Sequence, residues 1–511
     1  MSDHPADLGV SEASAALRTG RLSSQELTTA CLERIERRDP FYSAWLNVYE
    51  DSAVAAARAA DQQLDAGNGG PLTGIPIGLK DVIGVAGRPL TADSAVLRGN
   101  VASIDSTVWA RLSDAGVVLL GHLHCGEFAC GTWGVNPWDD SFSPGGSSSG
   151  SGVAVAARMT PATLGTDGRG SIRIPAAFLN LTAIKPTFGL VSAAGCIPIT
   201  FTYDVVGPMA RSAADCALIL QAIAGPDSRD RATIAQAAKL SVLAEPRSGP
   251  LPLAATRIGV PRFADDFLAA GVAEVWARFT EELVALGATL VEYDRPENPL
   301  EENGGAGAGW QTILGAEALA IHEQFADRRD LHRAEFKALF NPMVEGVGTA
   351  VEYVQAQIKR AELVSKWHGI FEELRLDAVT EPGSAAEVLK RDELPSDQAT
   401  AAEHPLDIEA IPWLFAMWND VNFPVLSLPA SRSRVDGGPV GMQLIGLPFT
   451  EQSLIQIGVD YQMATSHHAE EPGGLDGADR PVFVAPHTPD AVPQRPYKPV
   501  LSPLAGIFPH E

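Results

Sequence analysis

Two loops rich in glycine and serine, separated by a short apolar segment, constrain the fold of this chain more than any other feature of its sequence. They are residues 145–151, Gly-Gly-Ser-Ser-Ser-Gly-Ser, and residues 165–171, Gly-Thr-Asp-Gly-Arg-Gly-Ser. Glycine lets each loop turn tightly and lets main-chain N–H groups approach a bound molecule closely. Such N–H groups are suited to stabilising negative charge on an oxygen atom. The pattern therefore predicts two hydroxyl-bearing turns beside an anion-stabilising loop.

Two other interpretations of these loops have to be weighed. Gly/Ser tracts are often flexible linkers, but here a second loop follows in register and residues 153–157 have the apolar pattern of a buried helix. Residues 146–150 also match Gly-x-Ser-x-Gly, the nucleophile turn of α/β-hydrolases, which requires a preceding buried strand. Residues 138–143 are a poor candidate for that strand. None of the eleven histidines has a recognisable catalytic context, so a histidine base lacks support.

Lys80 lies within residues 75–83, where apolar residues predominate and indicate a buried strand. A buried lysine needs a partner or a purpose. Asp81 is a poor partner because adjacent strand residues point to opposite faces. Burial makes an ammonium group lose its proton more easily, so Lys80 is a candidate base for a serine hydroxyl.

These motifs resemble the amidase signature family. The family's glycine-serine core is matched by residues 145–151 and 165–176. Further matches lie at residues 74–81, 185–189, 207–212 and 438–446. The resemblance extends over about residues 9–465.

The resemblance implies a Ser-cisSer-Lys catalytic triad. Carried over by position, Ser171 is the nucleophile, Ser147 the bridging serine and Lys80 the general base. A serine hydroxyl is a weak nucleophile until a neighbouring base takes its proton, and a neutral lysine would do so through the bridging hydroxyl. In this family the bridging serine follows a cis peptide bond that involves no proline.

The resemblance also implies an oxyanion hole made of four backbone N–H groups, those of Gly168, Arg169, Gly170 and Ser171. Arg169 departs from the family pattern, which usually has glycine there, and so does Ser149. The Arg169 guanidinium either projects into the mouth of the pocket or forms an ion pair outside it, and the sequence leaves both possibilities open. We expect substrate contacts from Cys125, Gly126, Ile197, Tyr203 and Arg169.

The expected fold is α/β, with a large, mixed, mostly open β-sheet covered by helices on both faces and a helical cap region. Strand and helix patterns alternate along the chain, as in the strand at 257–260, the helix at 272–286 and the strand at 289–291. We expect five segments: an N-terminal helical arm (1–70), a catalytic core (71–295), a helical cap (296–405), a return of the core sheet (406–468) and a proline-rich extended tail (469–511).

Charge and composition limit the expected partners. The formal net charge is −25, which disfavours nucleic-acid binding, and no apolar run is long enough to predict a membrane span. Five cysteines without zinc-ligand spacing indicate reduced thiols in a cytoplasmic protein. His122, His124 and Cys125 are interpreted as interior residues rather than metal ligands. We therefore expect no metal or cofactor, a small-molecule amide or carbamate as the partner, and a monomer or homodimer.

The function implied is that of an amidase signature hydrolase acting on carbon–nitrogen bonds of linear amides other than peptide bonds. Apolar residues in the predicted cap favour a neutral aryl or alkyl carboxamide, with carbamate (urethane) or ester hydrolysis as further activities. The alternative is the amidase subunit of a glutamine-dependent amidotransferase complex, which would pass ammonia to a partner protein. A catalytically silent binding protein on the same fold is a third possibility, which the joint presence of Lys80, Ser147 and Ser171 disfavours.

Overall fold

The computed structural model describes residues 4–234, 246–249, 251–264, 267–300, 308–345, 347–391 and 410–476. In this part of the chain a single mixed sheet carries eleven strands. The strands are β1 (Trp45–Val48), β2 (Pro76–Lys80), β3 (Val118–Leu123), β4 (Ala162–Asp167), β5 (Thr182–Lys185), β6 (Val205–Ala210), β7 (Arg257–Pro261), β8 (Thr289–Tyr293), β9 (Ala378–Pro382), β10 (Val425–Arg432) and β11 (Pro439–Ile445).

Helices surround the sheet. They are α1 (Val10–Arg18), α2 (Ser24–Tyr42), α3 (Glu50–Asp65), α4 (Thr107–Asp114), α5 (Ser149–Ala156), α6 (Arg173–Phe178), α7 (Ala213–Ile223), α8 (Ala270–Ala285), α9 (Ala308–His322), α10 (Ala334–Glu345), α11 (Ala350–Leu374), α12 (Ala410–Asp420) and α13 (Glu451–Ala464).

The order of strands across the sheet is β1-β3-β2-β4-β6-β5-β10-β11-β9-β7-β8. Strand β2 runs parallel to β3 and β4, and β7 runs parallel to β8 and β9. The remaining pairs are antiparallel. Helices α2 and α3 pack against the β2–β3 part of the sheet, and α8 packs against β8 to β11. The predicted fold class, a large mixed sheet covered by helices, is confirmed.

Local sequence signals explain several elements near the centre of the molecule. Ser23 caps α2, and its side chain and that of Glu26 satisfy each other's main-chain N–H groups as the sequence predicts. Helix α5 consists of small and β-branched residues and is buried along its whole length. Small side chains allow this helix to pack closely between the sheet strands β2 and β4 and the neighbouring helix α6.

Two strands lie inside segments that the sequence predicts to be helical. Strand β1 follows α2 in the predicted arm and pairs with β3, and β9 follows α11 in the predicted cap and pairs with β11 and β7. Both are short, and a short apolar run does not distinguish a strand from part of a buried helix. The segment boundaries themselves stay a prediction.

The helices of the predicted cap are anchored to the catalytic core by buried polar contacts. His332 Nδ1 lies 2.9 Å from Glu127 Oε1, and the Arg333 N–H donates to the other oxygen of Glu127 at 2.8 Å. From α9, Glu317 accepts hydrogen bonds from the N–H groups of Phe201 and Thr202 at 2.7 and 3.0 Å. The predicted cap therefore contacts the rest of the structure at Glu127 and at residues 201–202.

The remaining expectations concern cysteines, metals, membranes and the tail. All five cysteines are free thiols. The described residues contain no cluster of three or more side chains suited to a metal ion. None of their helices is both long and apolar enough to span a bilayer. Of the predicted tail, residues 477–511 lie outside the described part; just before them, Asp476 forms an ion pair with Arg38 of α2 at 2.9 Å.

Candidate active site

The topology brings Lys80 and the second glycine-serine loop to one edge of the sheet. Lys80 is the last residue of β2, and β4 ends at Asp167, directly before residues 168–171. Because β2 and β4 are parallel neighbours, their carboxyl ends lie at the same edge. The first loop leads into α5, which packs on both strands. The three sequence motifs therefore meet at a single place in the fold.

Lys80 is fully buried, and its ammonium nitrogen contacts three hydroxyl groups. Nζ lies 2.8 Å from Ser147 Oγ, 3.0 Å from Ser148 Oγ and 2.9 Å from Thr166 Oγ1. Within the described residues no carboxylate accepts a hydrogen bond from it. Burial lowers the pKa of Lys80 to about 8, an effect that nearby acidic groups such as Asp204 partly oppose.

Asp81 faces away from this cluster, as the strand pattern predicts. Its carboxylate accepts hydrogen bonds from the N–H groups of Thr91 at 3.2 Å and of Asp93 at 3.1 Å. Burial raises the pKa of Asp81 to about 7. The partner of Lys80 is therefore the hydroxyl cluster and not its sequence neighbour.

The peptide bond between Gly146 and Ser147 is cis, which matches the geometry that the family resemblance implies. The Ser147 carbonyl accepts a hydrogen bond from the N–H of Gly126 at 3.3 Å, and the Ser148 N–H donates to the Ser171 carbonyl at 3.1 Å. Ser171 is partly exposed. None of the described residues forms a hydrogen bond with its hydroxyl. The structure thus joins Lys80 directly to Ser147 and brings the Ser171 backbone against the same loop.

The four N–H groups of the predicted oxyanion hole are not equivalent. The Gly170 N–H donates to Asp167 Oδ1 at 2.7 Å, so it is already occupied. Among the described residues nothing accepts a hydrogen bond from the N–H groups of Gly168, Arg169 or Ser171. Gly170 has a φ of +105°, which a residue with a Cβ atom rarely adopts. Three of the four predicted donors therefore remain available to a ligand.

A buried ion pair between Asp167 and Arg173 shapes this loop, and sequence reasoning did not identify it. Both side chains are fully buried, and Arg173 Nε lies 2.9 Å from Asp167 Oδ2. The same carboxylate also accepts hydrogen bonds from the N–H of Ile172 at 3.1 Å and from Asn419 at 2.9 Å. Burial by itself would raise the pKa of Asp167, but the Arg173 guanidinium holds it well below its usual range. The sequence signal that could have predicted this ion pair is an acidic residue before the glycine-containing turn and an arginine after it.

Arg169 points toward the cap. Its guanidinium carbon lies 3.6 Å from the centre of the Trp310 ring on α9. Tyr203, predicted as a substrate contact, is buried and donates its hydroxyl hydrogen to Asp420 Oδ1 at 3.1 Å. Sequence reasoning did not identify Asp420 or connect Trp310 with Arg169.

The other predicted substrate contacts lie on two sides of Lys80. The Cys125 N–H donates to Asp93 Oδ2 at 3.1 Å, and burial raises the pKa of the Cys125 thiol well above its ordinary value. Gly126 lies against the Ser147 carbonyl. Ile197 lines a cavity of about 620 Å³ whose wall also includes Thr166 and Asp204. The cavity thus adjoins one of the hydroxyls that contact Lys80, while Cys125 and Gly126 lie outside it.

The cavity wall is mostly apolar. Its apolar lining includes Leu90, Val191, Ile197, Phe188, Val205 and Val206. Charged side chains contribute on one side, at Arg229, Asp230 and Arg231. Val101, Ile104 and Phe201 also border the cavity and are exposed to solvent. The space is large enough to hold a small organic group.

A family model, curated relatives and solved structures all match this chain over most of its length. A model described as Amidase matches residues 26–455. The chain is 38% identical over 509 residues to one subunit of the glutamyl-tRNA(Gln) amidotransferase of Chloroflexus aggregans, covering 91% of this chain and 98% of that protein. It is 35% identical to the corresponding subunit from Dechloromonas aromatica, covering 91% of this chain and 99% of that protein.

Solved structures are similar over almost the whole chain. The native peptide amidase from Stenotrophomonas maltophilia has a TM-score of 0.76 and 29% sequence identity, with 92% of this chain and 98% of that chain covered. The corresponding glutamyl-tRNA(Gln) amidotransferase subunit from Thermotoga maritima has a TM-score of 0.72 and 26% identity, with 90% and 95% covered.

These relatives overturn the expectation about partners. From the sequence we expect a monomer or homodimer whose partner is a small molecule and not a nucleic acid. These relatives are instead each named as one subunit of an amidotransferase, and that enzyme is named for a tRNA. The expectation was wrong, and its exclusion of nucleic acid rested on the net charge of a single chain. In an assembly the surface that binds RNA can belong to another subunit, so an acidic chain does not exclude it.

The contribution of the Asp167–Arg173 ion pair to the stability of the loop that follows β4 can be tested by mutation. Replacing Arg173 with Met leaves a buried carboxylate without its cation, so we expect the free energy of unfolding to fall by about 3–5 kcal/mol. Arg262→Met is the matched control, since Arg262 forms an exposed pair with Asp294 and should change stability little. Denaturant titration of both variants measures the difference. Similar losses in the two variants would contradict a supporting role for Arg173.

Proposed function

Because this chain belongs to the amidase signature family, we propose that it hydrolyses a carboxamide C–N bond through an acyl-enzyme on Ser171. The observation that carries this proposal is the burial of Lys80 among three hydroxyls with no carboxylate partner in the described residues. A buried lysine without a counterion gives up its proton readily, and the neutral amine can then act as a base. Ser147 lies at hydrogen-bond distance from that amine and can pass a proton to it.

In the proposed reaction, Ser147 passes a proton to neutral Lys80 while it takes the proton of Ser171. The Ser171 oxygen attacks the amide carbon, and the carbonyl oxygen becomes an oxyanion. The N–H groups of Gly168, Arg169 and Ser171 would stabilise that charge, and loss of one such donor typically costs about 10²–10³-fold in rate. The tetrahedral intermediate expels the amine, which receives its proton from Lys80 through Ser147.

Water completes the cycle. It attacks the acyl-enzyme, gives up a proton to the Ser147–Lys80 pair, and the ester bond to Ser171 breaks as the Ser171 oxygen regains a proton. The products are a carboxylic acid and ammonia or an amine, and no metal or organic cofactor takes part in these steps.

For the substrate, we propose the side-chain carboxamide of glutamine, with the chain acting as the amidase subunit of a glutamine-dependent amidotransferase. The support is the 38% identity, over nearly the full length of both proteins, to a subunit of such an enzyme. At the level of sequence this function is the alternative to hydrolysis of an aryl or alkyl amide, and the relatives favour the alternative. In such an assembly ammonia released at Ser171 would pass to a partner protein.

A second candidate is hydrolysis of aryl or alkyl amides, with carbamates or esters as further substrates. It rests on the mostly apolar cavity of about 620 Å³ that adjoins Thr166. A hydrophobic amine leaving group or acyl group would lose contact with water there. The resemblance to a peptide amidase structure is compatible with this candidate as well.

Substrate panels separate the two candidates. We expect wild-type protein to release ammonia from glutamine faster than it cleaves nitroanilides, primary alkyl amides, aryl carbamates or esters, and Ser171→Ala to abolish all of these activities. Ser149→Ala, which removes a hydroxyl from the neighbouring loop, is the matched control and should retain turnover. Nitroanilide cleavage that exceeds glutamine hydrolysis would favour the second candidate. Full activity of Ser171→Ala would reject the acyl-enzyme.

The pKa of Lys80 predicts the pH dependence. Below its pKa of about 8 the side chain is protonated and cannot accept a proton, so kcat/KM should rise with pH through about 8 and level off above it. Lys80→Ala should remove most of the activity at every pH, because no other base contacts Ser147 in the described structure. The measurement is kcat/KM from about pH 6 to about pH 10, a range that extends to both sides of the expected midpoint. A profile that is flat across this range would contradict Lys80 as the base.

A further inference from the structure

Arg169 occupies a loop position where the family usually has glycine, and the structure shows where its side chain goes. The main-chain N–H of Arg169 belongs to the proposed oxyanion hole, while the guanidinium carbon lies over the Trp310 ring of α9, 3.6 Å from its centre. Cation–π contacts of this kind hold an arginine in one orientation with its N–H edge free. The side chain is only partly buried. The positive group is therefore held at the cap by the residue whose main-chain N–H belongs to the proposed oxyanion hole.

The donors of this guanidinium are unused. Within the described residues Arg169 forms no hydrogen bond and no ion pair. Asp420 is close enough to interact electrostatically with it, yet Asp420 Oδ1 already accepts a hydrogen bond from Tyr203 and Oδ2 accepts one from Asn298 at 2.9 Å. The Arg360 guanidinium also lies beside this group and donates to the Asp420 carbonyl at 2.6 Å. Asp420 is thus satisfied without a hydrogen bond from Arg169.

We propose that Arg169 binds a carboxylate on the acyl part of the substrate, with Trp310 holding the guanidinium in place. The proposal rests on the proposed amide hydrolysis at Ser171 and identifies the substrate class as carboxamides that carry a nearby carboxylate. A planar guanidinium offers two parallel N–H donors that match the two oxygens of a carboxylate. In a chain with a net charge of −25, a cation that forms no ion pair with the described residues also provides local attraction for an anionic substrate.

The platform for this arginine comes from the cap and not from the loop itself. Trp310 lies near the start of α9, and the same helix carries Glu317, which binds the 201–202 loop. Selection of the substrate would therefore depend on the cap being in place. Replacing Trp310 with Leu would keep the charge of Arg169 but remove the ring contact that orients its guanidinium.

Matched pairs of amides test the carboxylate. The pairs are glutamine with 4-aminobutanamide, and succinamate with its methyl ester; the members of each pair differ in the carboxylate. For the wild-type protein we expect kcat/KM to be about tenfold to hundredfold higher for the carboxylate member, the usual range for a hydrogen bond to a charged group. Arg169→Gln, which keeps the main-chain N–H, should remove that preference by raising KM for the carboxylate member, so that the ratio of kcat/KM between the two members of a pair falls toward one.

Further variants separate binding from a structural effect. Arg169→Lys should recover part of the preference, and Trp310→Leu should lose part of it. Added salt should weaken the preference, because it screens the attraction. Arg432→Gln is the matched control: Arg432 lies over the Trp138 ring at 5.3 Å on an exposed strand end, and its loss should not alter the preference.

A binding measurement makes the proposal testable if turnover requires a partner protein. Calorimetry on Ser171→Ala should detect glutamine or succinamate, and the additional Arg169→Gln substitution should weaken binding by the same tenfold to hundredfold factor. Equal losses for both members of a pair, or no preference in wild-type protein that hydrolyses amides, would overturn the role of Arg169 alone. Absence of both hydrolysis and binding with every amide would overturn the proposed function, and this inference with it.

Discussion

The burial of Lys80 at the end of β2 is the constraint on which the arrangement of the catalytic edge depends. An ammonium group that is removed from water is costly unless hydrogen-bond acceptors surround it. Here the acceptors are three hydroxyl groups, those of Ser147 and Ser148 in the first glycine-serine loop and that of Thr166 in β4. Because these groups are neutral, they satisfy the geometry of the nitrogen without stabilising its charge as a carboxylate would. Burial therefore lowers the pKa of Lys80, and the same surroundings suit it to act as the base in the proposed reaction.

A second buried charge has the opposite outcome. Asp167 lies at the end of the neighbouring strand and is paired with Arg173, so it stays ionised and fixes the loop that follows. Its oxygens accept the N–H groups of Gly170 and Ile172 and leave others on the loop free. Two adjacent strands thus end in two buried ionisable groups, of which one is held charged to support backbone geometry and the other is driven toward neutrality. That division is typical of sites in which support and proton transfer are assigned to different residues.

In the proposed function, chemistry and substrate choice reside in different parts of the molecule. The hydroxyl cluster and the oxyanion loop belong to strands and loops of the central sheet, which is shared with amidases and with amidotransferase subunits alike. The contacts proposed to select the substrate lie at the border with the cap, where Arg169 meets Trp310 and Glu317 holds the 201–202 loop. When a rigid core carries the catalytic groups and the surrounding helices determine which substrates reach them, we expect related proteins to share a reaction and to differ in substrate.

The sequence by itself determined the fold class, the strand that carries Lys80, the capped start of α2 and the two loops that bear Ser147 and Ser171. These follow from periodicity, capping residues and glycine placement, which act over a few neighbouring residues. It did not reveal β1 and β9, which are stabilised by pairing with distant segments of the sheet. Nor did it reveal that Asp167 occupies the Gly170 N–H, that Asp420 takes the Tyr203 hydroxyl, or that Arg169 lies on Trp310. Only the tertiary structure decided these contacts, since each joins groups whose approach depends on how the sheet, the loop and the cap pack together.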